Sequence, residues 1–260
     1  MKLATWNINS LKMRLPHVLG WLAAQNPDVL CLQELKCDDP QFPLSAIEEA
    51  GYHAVFSGQK TYNGVAILSR SPPADVQCGV PGFDDPHRRI IAATVDGVRI
   101  VCFYVPNGQS LESDKYQYKL EWLRRVTVWL RDEVSRHERI VVTGDFNIAP
   151  EDRDVHDPDL WRGQVLCSDP ERAAYRDWIG LGLVDSFRMF EQAERSFSWW
   201  DYRMLGFQKN RGLRIDHILM SPKLAQHCAR CWIDRGERKK PQPSDHAPVI
   251  AELKDGWREG

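Results

Sequence analysis

Ile140-Val141-Val142-Thr143-Gly144-Asp145-Phe146-Asn147 is an apolar run that ends in an acid and an amide, and Ser244-Asp245-His246-Ala247-Pro248-Val249-Ile250-Ala251 begins with an acid and an imidazole and continues as a second apolar run. Short apolar runs rich in β-branched residues are typical of buried strands. The first strand therefore delivers two oxygen ligands to the rim of a sheet, and the second delivers a carboxylate and an imidazole. Oxygen ligands suit Mg²⁺ or Mn²⁺, and an imidazole beside such an ion suits a displacement at phosphorus.

Five strand ends along the chain carry polar residues of this kind. They are Asn7 with Asn9, Glu34, Tyr104 with Asn107, Asp145 with Asn147, and Asp216. Loops adjoin strand ends and favour asparagine and aspartate, which accounts for one or two of these positions. It does not account for every position being a metal ligand, a hydrogen-bond donor or a proton carrier, so shared chemistry is the stronger interpretation. His217 follows Asp216 and should face the opposite side of its strand, which indicates a structural role.

The bulk composition sets bounds on the class of protein. Of the 260 residues, 43% are hydrophobic and 27% are charged, which is typical of a soluble globular protein and excludes a disordered one. The net charge of −2 and the pI near 6.5 exclude a generally basic nucleic-acid coat. Local basic footprints still allow DNA binding, and two basic stretches occur, at 203–214 and at 235–240.

The cysteines and the hydropathy of the chain indicate its compartment. Cys228 and Cys231 form a lone CxxC without a second ligand pair at zinc spacing, which does not favour a metal or redox role. The segment that starts at Met1 has no signal-peptide core, and no apolar run is long enough to span a bilayer. A reducing, cytoplasmic location without a membrane partner is therefore expected.

Strands and helices alternate along the chain without a linker or a break in composition. Helices are predicted at 16–26, 42–50, 112–137 and from the Ser168-Asp169-Pro170-Glu171 capping box to about residue 180. Strands are predicted at 2–7, 28–33, 52–56, 64–69, 90–95, 98–104, 140–143, 196–200, 213–221, 229–234 and 247–253. Hairpins such as the one that turns at Asp96-Gly97, mixed with covering helices, predict an α/β fold. We expect one domain over residues 1–260, with two packed mixed β-sheets flanked by helices.

Eight segments spread over the chain carry a resemblance to a known family. They are Trp6-Asn7-Ile8-Asn9-Ser10, Gln33-Glu34-Leu35-Lys36, Tyr62-Asn63-Gly64-Val65-Ala66-Ile67, Val105-Pro106-Asn107-Gly108, Gly144-Asp145-Phe146-Asn147, Trp200-Asp201-Tyr202-Arg203, Gly212-Leu213-Arg214-Ile215-Asp216 and Ser244-Asp245-His246-Ala247-Pro248. Together they resemble the exonuclease III/AP endonuclease family. The Asp-Phe-Asn and Ser-Asp-His motifs alone indicate only the wider endonuclease/exonuclease/phosphatase superfamily, whereas the Gln-Glu-Leu-Lys, Tyr-Asn-Gly and Trp-Asp-Tyr-Arg segments resemble its DNA-repair branch.

The resemblance implies a four-layer α/β sandwich that uses Mg²⁺, with Mn²⁺ as a substitute, to hydrolyse DNA phosphodiesters beside abasic sites or at 3′ ends. The implied metal site consists of Asn7, Asn9, Glu34, Asp145, Asn147, Asp245 and His246, with Glu34 as the principal carboxylate. Asp145 is also expected to position and deprotonate the attacking water. Asn147 is expected to donate a hydrogen bond to the charge that develops on phosphorus.

The remaining implied roles concern the phosphate and its protons. His246, oriented by Asp216, is expected to contact a phosphate oxygen or to serve as acid or base. Tyr104 and Asn107 are expected to hold the phosphate or to help the leaving oxygen. Asp145, His246 and Tyr104 all fit the proton route, and the sequence leaves the choice among them open.

The resemblance also implies a substrate-binding set. It consists of Asn107, Leu166, Trp199, Arg203, Leu213, Arg214 and Ile215. Family members that incise abasic sites often have a small residue at the position aligned with Leu166, where the pocket receives a sugar lacking its base. A leucine there is expected to fill that space and to favour 3′-end processing over abasic-site incision. The alternative is that the alignment is shifted by one residue, or that the leucine points into the core beneath the following helix.

Two rival functions stay open at this point. A phosphomonoesterase or lipid phosphodiesterase could use the same scaffold, and a catalytically silent DNA-binding protein could share the surface. The second is disfavoured because all the expected catalytic residue types are present. The expected partner is double-stranded DNA with abasic sites, nicks or blocked 3′ ends, and the expected oligomeric state is a monomer.

Overall fold

Two six-stranded sheets and a two-stranded ribbon form the core of the computed structural model, which describes residues 1–258. The strands are β1 (Lys2–Asn7), β2 (Val29–Gln33), β3 (His53–Ser57), β4 (Val65–Ser69), β5 (Ala74–Cys78), β6 (Ile90–Val95), β7 (Val98–Tyr104), β8 (Ile140–Asp145), β9 (Val184–Asp185), β10 (Trp199–Trp200), β11 (Gly212–Leu213), β12 (Asp216–Met220), β13 (Cys228–Ile233) and β14 (Val249–Leu253). The α-helices are α1 (Leu11–Gln25), α2 (Leu44–Glu49), α3 (Asp114–Arg136), α4 (Pro158–Trp161), α5 (Asp169–Gly180) and α6 (Pro222–Ala225). Short 3₁₀ turns lie at Asp39–Gln41, Asp152–Asp154, Ser186–Met189, Arg203–Leu205 and Arg235–Lys239.

Both sheets are mixed. The first has the order β13-β14-β1-β2-β4-β3 and the second has the order β5-β6-β7-β8-β12-β9. In each sheet one central pair is parallel, β1 with β2 and β7 with β8, and the other pairs are antiparallel. The ribbon of β10 and β11 stands apart from both sheets.

Buried side chains form three hydrophobic layers. The middle layer lies between the sheets and joins residues such as Leu3 and Ile67 of the first sheet to Ile100 and Val141 of the second. One outer layer packs α1 and α2 onto the first sheet, and the other packs α3 and α5 onto the second sheet. The predicted four-layer α/β sandwich is confirmed.

Strand register brings the polar strand ends together. In the second sheet Tyr104 lies opposite Asp145 on β8, and Asp145 lies opposite Asp216 on β12. In the first sheet Asn7, the last residue of β1, lies opposite Gln33, which directly precedes Glu34. Because the ends of neighbouring strands meet at one edge of a sheet, each sheet presents its polar residues at a single rim.

Most predicted elements are present, and several local predictions are confirmed. The β6–β7 hairpin turns at Asp96 and Gly97, both at positive φ, as a two-residue hairpin turn of this type requires. Ser168 and Glu171 form the predicted capping box at the start of α5. No helix within residues 1–258 is long and apolar enough to cross a membrane.

Three boundaries differ from prediction. Helix α1 begins at Leu11 and contains Pro16, because Leu11 is fully buried and its packing extends the helix past the proline. The strand expected at 213–221 is divided into β11 and β12, because β11 pairs with β10 whereas β12 pairs with β8 and β9, and the Arg214 N–H between them donates to Asp154 O. The strand expected at 196–200 is only Trp199–Trp200, and β5 and β9 were not foreseen.

Candidate active site

Three side chains form a compact cluster where the rims of the two sheets face each other. Ligand atoms of Glu34, Asp145 and His246 all lie within 4.8 Å of one another. Asp145 and His246 are buried, whereas Glu34 is partly open to a cavity that all three residues line. The two carboxylates form a donor set that fits a hard divalent cation, and the His246 ring lies beside them.

Asn7 ties the two carboxylates of the cluster together. Its Nδ2 donates to Glu34 Oε1 over 2.9 Å and to Asp145 Oδ2 over 2.8 Å. Its Oδ1 accepts the backbone N–H of Asn9 over 3.0 Å. In this arrangement the Asn7 amide oxygen faces the Asn9 N–H, and the Asn7 Nδ2 holds the two carboxylates together.

His246 is held by a carboxylate behind it. Its Nδ1 lies 2.9 Å from Asp216 Oδ2, and its Nε2 lies 3.7 Å from Asp145 Oδ2. Burial alone lowers the pKa of an imidazole, but the carboxylates of Asp216 and Asp145 outweigh this and raise the pKa of His246 to about 10. A pKa this high favours the protonated ring, whose Nε2–H would face Asp145 Oδ2.

In Asp145, by contrast, burial outweighs the nearby positive charge in setting the pKa. Burial raises the pKa of this carboxyl to about 7, with nearby Asp216 and Glu34 adding to the rise and His246 opposing it. A pKa near neutrality suits a group that must take up a proton during turnover.

A pair of asparagines covers one side of the cluster. Asn147 Nδ2 donates to Val105 O over 3.0 Å, and its backbone N–H donates to Asp145 Oδ1 over 2.9 Å. Asn107 Nδ2 in turn donates to Asn147 Oδ1 over 3.2 Å. Asn147 has φ +48°, so its backbone is in the left-handed region that asparagine tolerates. The two amides form one hydrogen-bonded unit beside Asp145.

Tyr104 borders the cluster on the side of Glu34 and Asp145. Burial first, and then the Glu34 carboxylate, raise the pKa of this phenol well above its usual value, so it stays protonated. The Arg89 guanidinium lies 4.7 Å from the centre of the Tyr104 ring, and its Nη1 donates to Tyr104 O over 3.2 Å. The phenol is thus a protonated hydrogen-bond donor that faces the Glu34 carboxylate.

Asn9 and Asp245 are linked to each other beside the cluster of Glu34, Asp145 and His246. Asn9 Nδ2 donates to Asp245 Oδ1 over 2.9 Å, and Asn9 Oδ1 accepts from Lys36 Nζ over 2.5 Å. Asp245 Oδ2 accepts the indole N–H of Trp199 over 3.0 Å. In this arrangement Asp245 joins Asn9 to the Trp199 ring.

The expected pocket wall surrounds a cavity of about 330 Å³ next to the cluster. Leu166, Trp199 and Ile215 line this cavity together with Glu34, Asp145 and His246. Leu213 is fully buried behind them, packed in one apolar cluster with Leu166 and Ile215. Leu166 therefore faces the cavity and touches the core at the same time, which combines the two orientations considered for it.

The position of Arg214 contradicts its predicted role in substrate binding. The side chain expected to bind substrate is fully buried, with Nε 2.6 Å from Asp154 Oδ1 and Nη2 2.9 Å from Asp185 Oδ2. His217 packs against it, with Nδ1 3.1 Å from Arg214 Nη1 and Nε2 2.9 Å from Ile148 O. Arg214 is thus part of an interior charge network and is not available to DNA, whereas the structural role predicted for His217 agrees with its placement.

The two basic stretches divide into exposed and buried members. Arg203, Lys209, Arg211, Arg235, Lys239 and Lys240 are exposed. Arg203 also borders the cavity and pairs with Asp201. Arg238 is buried, and its Nη1 donates to Ser244 O over 2.6 Å. It therefore supports the segment before His246 and is not part of the exposed surface.

One supporting residue was not foreseen although it lies inside a recognised motif. The Ser244 hydroxyl donates to Asn7 O over 2.7 Å and accepts the backbone N–H of His246 over 3.2 Å. It joins the start of the second motif to the end of β1 and so fixes His246 against the first sheet. The Ser-Asp-His motif itself was the available signal.

Comparison with known proteins agrees with this geometry. Residues 4–246 match the model of the Endonuclease/Exonuclease/phosphatase family. The chain is 39% identical to an exodeoxyribonuclease III of Haemophilus influenzae, over 98% of this chain and 100% of that protein. It is 30% identical to an exodeoxyribonuclease of Bacillus subtilis, over 96% of this chain and 98% of that protein.

Solved structures give the same result. A 3′ phosphatase from Neisseria, NExo, bound to a product DNA hairpin, superposes with a TM-score of 0.96 at 49% identity and covers 98% of this chain and 99% of its own. An AP endonuclease from Archaeoglobus fulgidus superposes with a TM-score of 0.94 at 40% identity, with the same coverage. The chain belongs to the endonuclease/exonuclease/phosphatase family and, within it, to the exonuclease III/AP endonuclease branch.

Proposed function

We propose that this protein is a Mg²⁺-dependent phosphodiesterase that acts on duplex DNA during repair, as a 3′–5′ exonuclease, a 3′-end-processing enzyme or an AP endonuclease. The observation that carries the proposal is the cluster of Glu34, Asp145 and His246, with Asp216 behind the imidazole. Relatives across the full chain include exodeoxyribonucleases and a 3′ phosphatase bound to a DNA product. We assign the activity to a single catalytic domain over residues 1–260.

Glu34 and Asp145 are the residues that would hold the ion. Their carboxylates face each other across the Asn7 amide, and hard oxygen donors of this kind select Mg²⁺, with Mn²⁺ as a substitute. When bound, the ion supplies positive charge to the scissile phosphate and to the leaving 3′-oxygen. Since His246 is an imidazolium, we assign it to a phosphate oxygen rather than to the ion.

Proton transfer falls to Asp145. Its carboxyl, with a pKa raised to about 7, is suited to orient the attacking water and accept its proton. Asp216 keeps His246 protonated and oriented, so that Nε2–H donates to the charge developing on phosphorus. This assignment leaves Tyr104, whose phenol stays protonated, as a donor to the phosphate or the leaving oxygen.

Asn147 and Asn107 complete the phosphate site. They form one unit on the side of Asp145 that borders the cavity, and amide N–H groups there would meet the developing negative charge. Exposed basic residues would contact the phosphates of the DNA backbone. They are Arg203, Lys209, Arg211, Arg235 and Lys239. We propose that the protein binds DNA as a monomer.

The cavity wall supports a lesion preference. Leu166 is 5% exposed and lines the cavity together with Trp199 and Ile215, where an extruded abasic sugar would enter. We propose that it favours 3′-end processing over incision at internal abasic sites. Its φ of +76° is in the region that favours glycine, so Leu166→Gly removes the side chain and also relieves the backbone.

A panel of duplex oligonucleotides tests both proposals. Wild type should cleave 3′-phosphate, 3′-recessed or internal abasic substrates with Mg²⁺ and should be inactive in EDTA. Hydrolysis of inositol phosphates without cleavage of DNA would favour a phosphatase on the same scaffold. Binding of DNA without cleavage would favour a catalytically silent DNA-binding protein. For Leu166→Gly, a gain confined to the abasic substrate supports the preference, with Leu166→Ala as the matched control that keeps Cβ. An equal change in cleavage rate on the abasic and the 3′-phosphate substrates would reject the proposed preference.

A further inference from the structure

A lysine lies completely buried beneath the two asparagines of the site. Lys119, on α3, has no exposed side-chain surface, and its ammonium has three acceptors around it. Nζ donates to Asn147 O over 2.7 Å and to Asn107 O over 3.1 Å, and it lies 2.5 Å from Glu171 Oε1. Because an ammonium has three N–H donors, these contacts saturate it. Two of the three donors are spent on the backbone of the asparagines.

The partner carboxylate is equally committed to the cavity wall. Glu171 is also fully buried, and its Oε1 accepts the backbone N–H of Leu166 over 3.0 Å. Its Oε2 accepts the backbone N–H of Ser168 over 3.0 Å and the Ser168 hydroxyl over 2.5 Å. One ion pair thus joins Asn107, Asn147 and Leu166, which come from three separate segments of the chain.

The backbone around the lysine is closely packed and has positive φ in all three segments that it holds. Gly108, which follows Asn107, has φ +96°, and a Cβ there would lie 3.0 Å from the Val165 side chain and 3.3 Å from Lys119 Cδ. Asn147 and Leu166 also have positive φ, at +48° and +76°. Conformations of this kind persist only where surrounding contacts hold them, and the shared contact of all three segments is this ion pair.

We propose that the Lys119–Glu171 ion pair is a positioning device that fixes the backbone of Asn107, Asn147 and Leu166 around the scissile phosphate. Neither member touches the cavity, so both act through the residues they hold. The inference rests on the phosphodiesterase function proposed above. Displacement of a substrate-contacting group by about 1 Å costs on the order of a hundredfold in turnover, and this is the loss expected without the anchor.

We expect the charges themselves not to be needed for a stable fold. A buried ion pair is commonly replaced by apolar or neutral residues without loss of stability, whereas removal of one partner leaves a costly unpaired charge. The double variant Lys119→Met/Glu171→Gln removes both charges, and the single glutamine oxygen can still accept from Ser168 in the capping box. The stability and the activity of this variant together distinguish a positioning role of the ion pair from a merely structural role.

The test compares melting temperature, kcat and KM on a 3′-phosphate duplex oligonucleotide for wild type, Lys119→Met and the double variant. Lys119→Met should melt well below wild type, and the double variant should recover most of that loss. Its kcat should stay about a hundredfold below wild type, with KM changed by less than about threefold because the DNA-contacting surface is intact.

A second buried pair provides the matched control. Arg99 Nε lies 2.8 Å from Glu133 Oε2 between β7 and α3, with side chains 4% and 3% exposed, and it contacts none of the site residues. Arg99→Met/Glu133→Gln should keep the kcat of wild type. Three outcomes would overturn the proposal. The Lys119→Met/Glu171→Gln variant could recover kcat together with its melting temperature, or it could fail to fold. The Arg99→Met/Glu133→Gln control could lose as much kcat as the Lys119→Met/Glu171→Gln variant. If wild type cleaves no DNA substrate, the proposed function itself fails, which is a separate result.

Discussion

His217 should make this protein lose stability in mild acid. The neutral ring satisfies both neighbours, since Nε2–H donates to Ile148 O and Nδ1 accepts from Arg214 Nη1. Protonation would place an N–H against the Arg214 N–H. Burial first, and then the Arg214 charge, lower the pKa of His217 to about 4.

The sign and size follow from linkage. Because the folded pKa is below the ordinary value of about 6.5, the unfolded chain binds the proton more readily, and stability falls as the pH drops from about 6.5 towards 4. A shift of about 2.5 pKa units corresponds to about 3 kcal/mol in full, and to about 2 kcal/mol at pH 5 relative to pH 8.

Urea unfolding of wild type and His217→Gln between pH 5 and pH 8 measures this contribution. Glutamine can donate to Ile148 O and accept from Arg214 but does not titrate in this range. Other groups titrate alike in both proteins, so the difference between their unfolding free energies isolates His217. We expect that difference to move by about 2 kcal/mol in favour of the variant as the pH falls to 5. A constant difference over this range would refute the reasoning.

Three further predictions concern the site and its surface. Glu34→Ala should lose calorimetric binding of Mg²⁺ and Mn²⁺ together with activity, because it removes a charged ligand, and an unchanged titration would exclude it from the metal site. Asp145→Asn and His246→Ala should each lower kcat by roughly a hundred- to ten-thousandfold with DNA affinity little changed, and near-normal turnover in both would contradict the mechanism. DNA affinity should fall steeply with salt, and Lys209→Gln should reduce the slope by about one unit, with Arg131→Gln on the exposed side of α3 as the control. A salt-independent affinity would rule this surface out.

The polar strand ends could be predicted because sequence order alone determines them. Asp145 and Asn147 follow a β-branched run, and strand register then brings Tyr104, Asp145 and Asp216 to the same level. Hydrophobic patterning likewise predicts the helical layers and the two mixed sheets. These features depend on local periodicity, which the chain displays directly.

The buried ion pairs of Arg214 and Lys119 could not be predicted from local sequence patterns, and the physical cause is the same for both. Arg214 belongs to a basic stretch that resembles a solvated face, yet its partner Asp154 lies sixty residues away in sequence and closes the ion pair only in the folded state. Lys119 falls on the buried stripe of α3 between Tyr116 and Trp122, and a lysine in an apolar stripe was the available sign. Its acceptors come from three distant segments, which no window of sequence contains.

The division of the site between two sheets determines when activity first arises during synthesis. Asn7 and Glu34 leave the ribosome early and Asp145 follows, but His246 precedes β14, which must pair with β1 at the opposite end of the chain. Until residues up to Leu253 are free to pair, the imidazolium is missing from the cluster. We therefore expect nuclease activity only once β14 has paired with β1, because the cluster of Glu34 and Asp145 lacks His246 until then.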